Sequence, residues 1–200
     1  MPRALVLRLV LIAVVAFTAA VAAVAFWFTP DPKTASVTTG EALIGGPFTL
    51  TDADGKRRTD AEFRGRHMLV FFGFTNCPDF CPTALSTMSQ ALEKLGPKAA
   101  NLAAIYITVD PERDTPAELK KYAQNFDQRI VMLTGTPAEI AAVARAYRVY
   151  YAKRELGKPG EYTMDHSAYI YLLGPDGKYL THFRNAVSPD DLAEALGKRL

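Results

Sequence analysis

Thiols are scarce in this chain. Two cysteines, Cys77 and Cys81, stand in 200 residues with no third to pair with either. That excludes the disulfide framework that staples many small exported domains, so the pair has to be explained locally. Charge of one sign is lacking too. The formal net charge is +2, from 23 basic and 21 acidic residues, and no clustered basic face makes an electrostatic case for nucleic acid. Histidines number three, and no internal repeat or low-complexity block is visible. Apolar residues, at 49% against 22% charged, match an ordinary folded protein and not a disordered one. The length suits one globular domain plus an extra segment.

That extra segment is N-terminal. Arg3 and Arg8 precede a run from Leu9 to Phe28 with no charge and a single hydroxyl, Thr18. About 20 residues at about 1.5 Å each span roughly 30 Å, the thickness of a bilayer core. Trp27 and Phe28 close the run, where aromatics favour the membrane interface. The two arginines place the N-terminus in the cytoplasm and the rest of the chain outside. Ala20-Val21-Ala22 and Ala23-Val24-Ala25 resemble signal-peptide cleavage sites, but the apolar run exceeds the about 7–15 residues of a signal core. Residues 1–28 therefore read as a transmembrane signal anchor, residues 29–42 as a flexible Pro/Thr/Ser/Gly tether, and residues 43–200 as the exported domain.

Within the domain, Phe48–Leu50 and the residues after the turn Asp52-Ala53-Asp54-Gly55 read as a small hairpin. His67–Phe74 and Leu102–Val109 are continuous apolar runs, as expected of strands buried on both faces. A helical stripe over Thr83–Leu95 ends at Gly96-Pro97. Further helices are expected over Pro116–Phe126, over Pro137–Tyr147 and from Ser188 to Leu200, with a short strand at Ile130–Leu133. Arg154–Tyr162, holding Gly157, Pro159 and Gly160, reads as a mobile loop. Ser167–Leu173 and Lys178–Phe183 read as a hairpin across Gly174-Pro175-Asp176-Gly177. Strands alternating with helices, then a late hairpin and closing helix, point to an α/β fold with a mixed sheet. Ligands in such sheets gather beyond the carboxyl ends of the strands, and one such end carries Cys77-Pro78-Asp79-Phe80-Cys81-Pro82.

With Pro82 at a first helical position, both cysteines lie near a helix N-terminus, which favours thiolate. Thiolates attack disulfides and bind metals, and the spacing leaves both roles open. Side chains four apart on a helix are about 5–6 Å apart at Cβ, wider than the about 3.5–4.5 Å of a disulfide, whereas a shared metal tolerates the gap. His67 and His182 read as surface or satisfied histidines. His166 directly precedes a strand and, on residue evidence alone, reads as structural. Asp110–Asp114 reads as turn and N-cap chemistry, with Asp114 or Thr115 as the cap before Pro116, and Tyr147, Tyr150 and Tyr151 as packing. Asp79 and Phe80 are exposed by position between the cysteines.

Three blocks, Phe72–Pro82, Thr108–Thr115 and Asp165–Ser167 running on through Gly174–Gly177, occur in an order that resembles the Sco (SenC) copper-chaperone family, over roughly residues 43–198. The resemblance implies a thioredoxin-like fold, a mixed central sheet flanked by helices, with an added β-hairpin. It implies copper, Cu(I) or Cu(II), held by Cys77, Cys81 and His166, with Asp165 as a group that orients the imidazole. It further implies delivery of copper to the dinuclear site of cytochrome c oxidase subunit II, or reduction of the acceptor's cysteines. With the anchor, this places the domain in the periplasm on a bacterial inner membrane. Soft thiolates select Cu(I), and an imidazole completes a trigonal site. The rival reading is a thiol–disulfide oxidoreductase with Cys77 and Cys81 as the redox pair and no need of metal. A peroxiredoxin would require Thr at position 74, which is Phe, and a structural zinc site would require a fourth ligand.

Overall fold

The computed structural model describes residues 43–158 and 160–200, together with Phe17 and Thr18, which are helical. The chain divides into two compact units, Met1–Glu41 and Ala42–Leu200. The anchor over residues 1–28 and the tether over 29–42 lie outside the described residues, apart from Phe17 and Thr18. Among the described residues, no helix is long and apolar enough to cross a membrane.

The second unit is built on strands β1 (Thr49–Asp52), β2 (Arg57–Thr59), β3 (His67–Gly73), β4 (Leu102–Thr108), β5 (Ile130–Thr134), β6 (Tyr151–Glu155), β7 (Tyr162–His166), β8 (Tyr169–Leu173) and β9 (Tyr179–Arg184). Its helices are α1 (Phe80–Leu95), α2 (Pro116–Ala123), α3 (Pro137–Ala146) and α4 (Pro189–Gly197). Seven strands form one mixed sheet in the order β2-β1-β5-β4-β3-β8-β9, and β6 and β7 form a separate two-stranded sheet. Strands β3, β4 and β5 are parallel, while β1 runs antiparallel to β5 and β8 antiparallel to β3. This is a thioredoxin-like α/β arrangement.

The centre of the sheet explains its apolar runs. Every residue of β4, and every residue of β3 after His67, is buried. Successive side chains point to opposite faces. Phe72 meets Tyr147, at the end of α3, with ring centres 5.3 Å apart, and Tyr171 at 6.2 Å. On the other face Phe71 meets Tyr106 at 6.3 Å and His166 at 6.3 Å. Of the three late tyrosines expected to pack, Tyr147 is fully buried and Tyr151 half-buried, but Tyr150 is 65% exposed.

Two expected elements take a different form. Helix α1 begins three residues early, at Phe80, so Pro82 is its third residue and not its first. The first turn has no intrahelical partner for its N–H groups, so the ring costs no hydrogen bond there. The stretch Arg154–Tyr162, expected as a mobile loop, is the tip of the β6–β7 hairpin: Arg154 pairs with Thr163 and Glu155 with Tyr162. Its glycines, Gly157 and Gly160, sit at the turn, and Tyr162, Met164 and His166 share one face of β7.

The acidic loop leads into the expected cap, while one of the two cap candidates, Asp114, has another role. Thr115, not Asp114, caps α2 by accepting from the Glu118 N–H. Asp114 is buried, accepting from the Thr75 N–H at 3.0 Å, the Thr75 hydroxyl at 2.5 Å and the Thr108 hydroxyl. It ties the segment after β3 to the end of β4. Burial raises its pKa, and these hydrogen bonds oppose the shift. Asp114→Ala leaves those donors without their acceptor, and a loss of about 2–3 kcal/mol is expected, read by urea unfolding. A change within about 0.5 kcal/mol, the range of neutral surface substitutions, would contradict the clamp.

Candidate metal centre

Topology brings the distant histidine to the cysteines. Phe71 of β3 pairs with Ile170 in the antiparallel β3–β8 ladder, so β8 starts where β3 ends. His166 lies four residues before Ile170, and the motif Cys77–Cys81 begins four residues after Gly73. The result is a contact between residues 85 apart in sequence: His166 Nε2 lies 3.5 Å from Cys81 Sγ. His67 lies at the opposite end of β3, and His182 is engaged on β9 by the Tyr179 hydroxyl at 2.5 Å and by the Tyr169 ring at 4.8 Å. Neither joins the site.

The two thiols have different environments. Cys81 is fully buried, while Cys77 is half-buried and beside a cleft of about 410 Å³ that His166, Phe74 and Phe80 also line. The Cys81 N–H donates to Cys77 Sγ at 3.4 Å. Hydrogen bonding from the Cys81 thiol, foremost, brings the Cys77 pKa down to about 4 against the opposing effect of burial. The Cys81 thiol is pushed well up, by the hydrogen bond it gives Cys77 first and by burial second. The sequence reading has the helix terminus favouring thiolate at both positions, and for Cys81 this is corrected. A terminal dipole is worth about 0.3–1 kcal/mol, less than a single pKa unit of about 1.36 kcal/mol, and full burial beside a second sulfur outweighs it.

Gly73, which the sequence reading did not single out, makes room for Cys81. A Cβ there would stand 3.0 Å from Cys81 Sγ and 3.0 Å from the Tyr106 ring. A glycine closing a strand of large apolar residues is a signal of close approach.

The imidazole is oriented through its other nitrogen, but not by Asp165. His166 Nδ1 lies 3.1 Å from the Ser167 carbonyl. A carbonyl only accepts, so Nδ1 carries the proton and Nε2 turns its lone pair toward the sulfurs, the tautomer a metal ligand needs. Asp165 instead accepts from Arg154 at 3.3 Å and is exposed. Neighbours on a strand project to opposite faces, which separates it from the His166 ring. Phe74 and Phe71 meet that ring edge-on at 5.8 and 6.3 Å.

Two sulfurs and an imidazole nitrogen form a soft donor set suited to Cu(I). Among the described residues, no three His, Cys, Asp or Glu side chains are already grouped as a metal cage; the contacts are pairwise. The Cys81–His166 spacing of 3.5 Å nonetheless fits a shared ion, since bonds of about 2.3 Å to sulfur and about 2.0–2.1 Å to nitrogen set such donors roughly 3.5–3.8 Å apart. A metal-free consequence concerns Cys77. Thiolate is the form that alkylates, so iodoacetamide should modify Cys77 at a pH-independent fraction of thiolate down to about pH 5, falling as pH drops through about 4. A midpoint near the about 8.5 of an ordinary thiol would contradict the pairing.

The SCO1/SenC family model matches residues 36–200. The mitochondrial SCO1 homolog of Homo sapiens is 39% identical over 163 residues, 80% of this chain and 54% of that protein. The chain spans about half the length of the curated relatives it matches. ScoI of Bradyrhizobium japonicum, solved with copper bound, is 48% identical with a TM-score of 0.74, covering 78% of this chain and 99% of that one. BsSco, described as having a disulfide switch and as a member of the Sco family of cytochrome c oxidase assembly proteins, is 30% identical with a TM-score of 0.64, over 79% and 94% of the two chains. Matched across the whole of its second unit, the chain belongs to the SCO1/SenC family.

Proposed function

We propose that this chain is a copper chaperone that holds copper with Cys77, Cys81 and His166 and delivers it to the dinuclear copper site of cytochrome c oxidase subunit II. The observation that carries the reading is the approach of His166 Nε2, lone pair forward, to within 3.5 Å of Cys81 Sγ beside Cys77. The copper bound by the ScoI relative and the oxidase-assembly role described for BsSco support it. Two sulfurs and one nitrogen retain Cu(I), and leave a coordination position that an acceptor's thiolate enters from the cleft beside Cys77. Cu(II) takes the same donors with an added oxygen ligand.

A second reading is favoured by the split between the thiols. An ionised, accessible Cys77 beside a buried Cys81 is the arrangement of an attacking and a resolving thiol. Cys77 thiolate would attack an acceptor disulfide to form a mixed disulfide. Cys81 would then displace the acceptor, leaving the acceptor as a dithiol and Cys77–Cys81 as the disulfide, two electrons having passed. This chemistry needs no imidazole ligand.

Residues 1–28 anchor the domain to a bacterial inner membrane, the tether over 29–42 frees it, and residues 43–200 face the periplasm. The apolar run from Leu9 to Phe28 and the flanking Arg3 and Arg8 support this. Washed membranes are expected to retain the full chain through alkaline carbonate extraction; release into the soluble fraction would contradict an intact anchor.

The metal assignment is tested by copper titration of reduced protein. One Cu(I) per monomer is expected for wild type, with losses of at least about 100-fold in affinity for Cys77→Ser, Cys81→Ser and His166→Ala, in keeping with the removal of a ligand from a three-donor site. His166→Ala with wild-type copper affinity but intact disulfide reduction would favour the dithiol reading instead.

A further inference from the structure

The β6–β7 hairpin shares no ladder with the main sheet. Its position is set by its two short connections and by side chains, and several of the polar ones come from one loop. Asp110, in the turn after β4, is 3% exposed and accepts the Tyr162 hydroxyl at 2.9 Å. Its other oxygen pairs with Arg113 Nε. Arg113 Nη1 in turn donates to the Tyr162 carbonyl at 2.9 Å, and its guanidinium lies 3.7 Å from the centre of the Tyr162 ring. From the other strand of the hairpin, Lys153 Nζ lies 3.8 Å from the same ring centre and 3.2 Å from Glu112. Both strands are thus held to the loop Asp110–Arg113.

Apolar packing does not do this alone. A cavity of about 160 Å³ lies where the loop meets the hairpin, bordered by Val109, Asp110, Tyr151 and Met164. Arg113 Nη2 is buried with no protein acceptor, so the closed arrangement leaves one donor unpaired. Tyr162 and His166 sit four residues apart on the same face of a five-residue strand. A rigid strand transmits the placement of the first to the second.

We propose that Asp110, Arg113 and Tyr162 form a latch that holds the hairpin down and keeps His166 at the cysteine pair, so that these three are positioning residues setting how tightly the cargo metal is kept. The inference rests on His166 being a ligand. It adds that the affinity of that ligand is controlled from a loop that touches neither the metal donors nor the cleft they face.

The test is Cu(I) affinity of the reduced full chain, read by competition with a colorimetric chelator. Tyr162→Phe removes one hydroxyl and keeps the ring, and a loss of about 2- to 10-fold is expected from a single hydrogen bond. Arg113→Met, which removes the ion pair, the carbonyl contact and the ring stacking, is expected to lose at least about 10-fold. In a His166→Ala background both substitutions should cause no further loss, because the latch acts only through the imidazole. Equal losses in both backgrounds, or wild-type affinity in the first, would overturn the proposal. If His166→Ala itself binds copper as wild type does, the ligand assignment fails separately. Amide exchange of Tyr162–His166 in metal-free protein then decides the latch alone: faster exchange confined to the hairpin in Tyr162→Phe and Arg113→Met supports it, and unchanged exchange overturns it.

Discussion

One side-chain contact, His166 Nε2 against Cys81 Sγ at 3.5 Å, brings together donors from two parts of the molecule that share no strand pairing. The segment after β3 and the first turn of α1 supply the sulfurs, and the separate hairpin supplies the nitrogen. Each neighbouring feature serves that approach. Antiparallel pairing of β8 with β3 returns the chain to the carboxyl end of β3. Gly73 lets the Cys81 sulfur lie against the strand end. The Ser167 carbonyl fixes which ring nitrogen faces the sulfurs. Asp114 fixes the start of the segment that leads into the cysteines.

The asymmetry of the thiols follows from the same geometry. One sulfur is buried beneath the imidazole and the other faces a cleft. A buried donor is slow to exchange and an accessible thiolate is quick to. In a carrier, that combination retains the metal while leaving one donor open to a competing thiol. In a dithiol reductant, the same combination separates the attacking from the resolving sulfur. The cysteines therefore suit both chemistries, and it is the imidazole that distinguishes them.

What could be read from the sequence depended on how many faces an element buries. Strands β3 and β4 are buried on both faces, so their unbroken apolar runs were legible. The β6–β7 hairpin was not, because its strands are short and half exposed, and Gly157, Pro159 and Gly160 spoke only for the turn. Asp114 shared the cap reading with Thr115 because both stand just before Pro116. Its partners Thr75 and Thr108 are 39 and 6 residues away, and nothing local announces them. The cysteine pair was visible by its spacing, but its chemistry was not. His166 stood out only through resemblance to a family, since a contact spanning 85 positions leaves no periodic trace.

X-ray absorption of the full chain loaded with one Cu(I) reads the donor atoms around the metal without relying on substitution. Two sulfurs and one imidazole nitrogen, the nitrogen vanishing in His166→Ala, is the predicted result. A shell of sulfur alone in the wild-type protein would contradict it, and would leave the imidazole as a neighbour of the thiols and not a ligand.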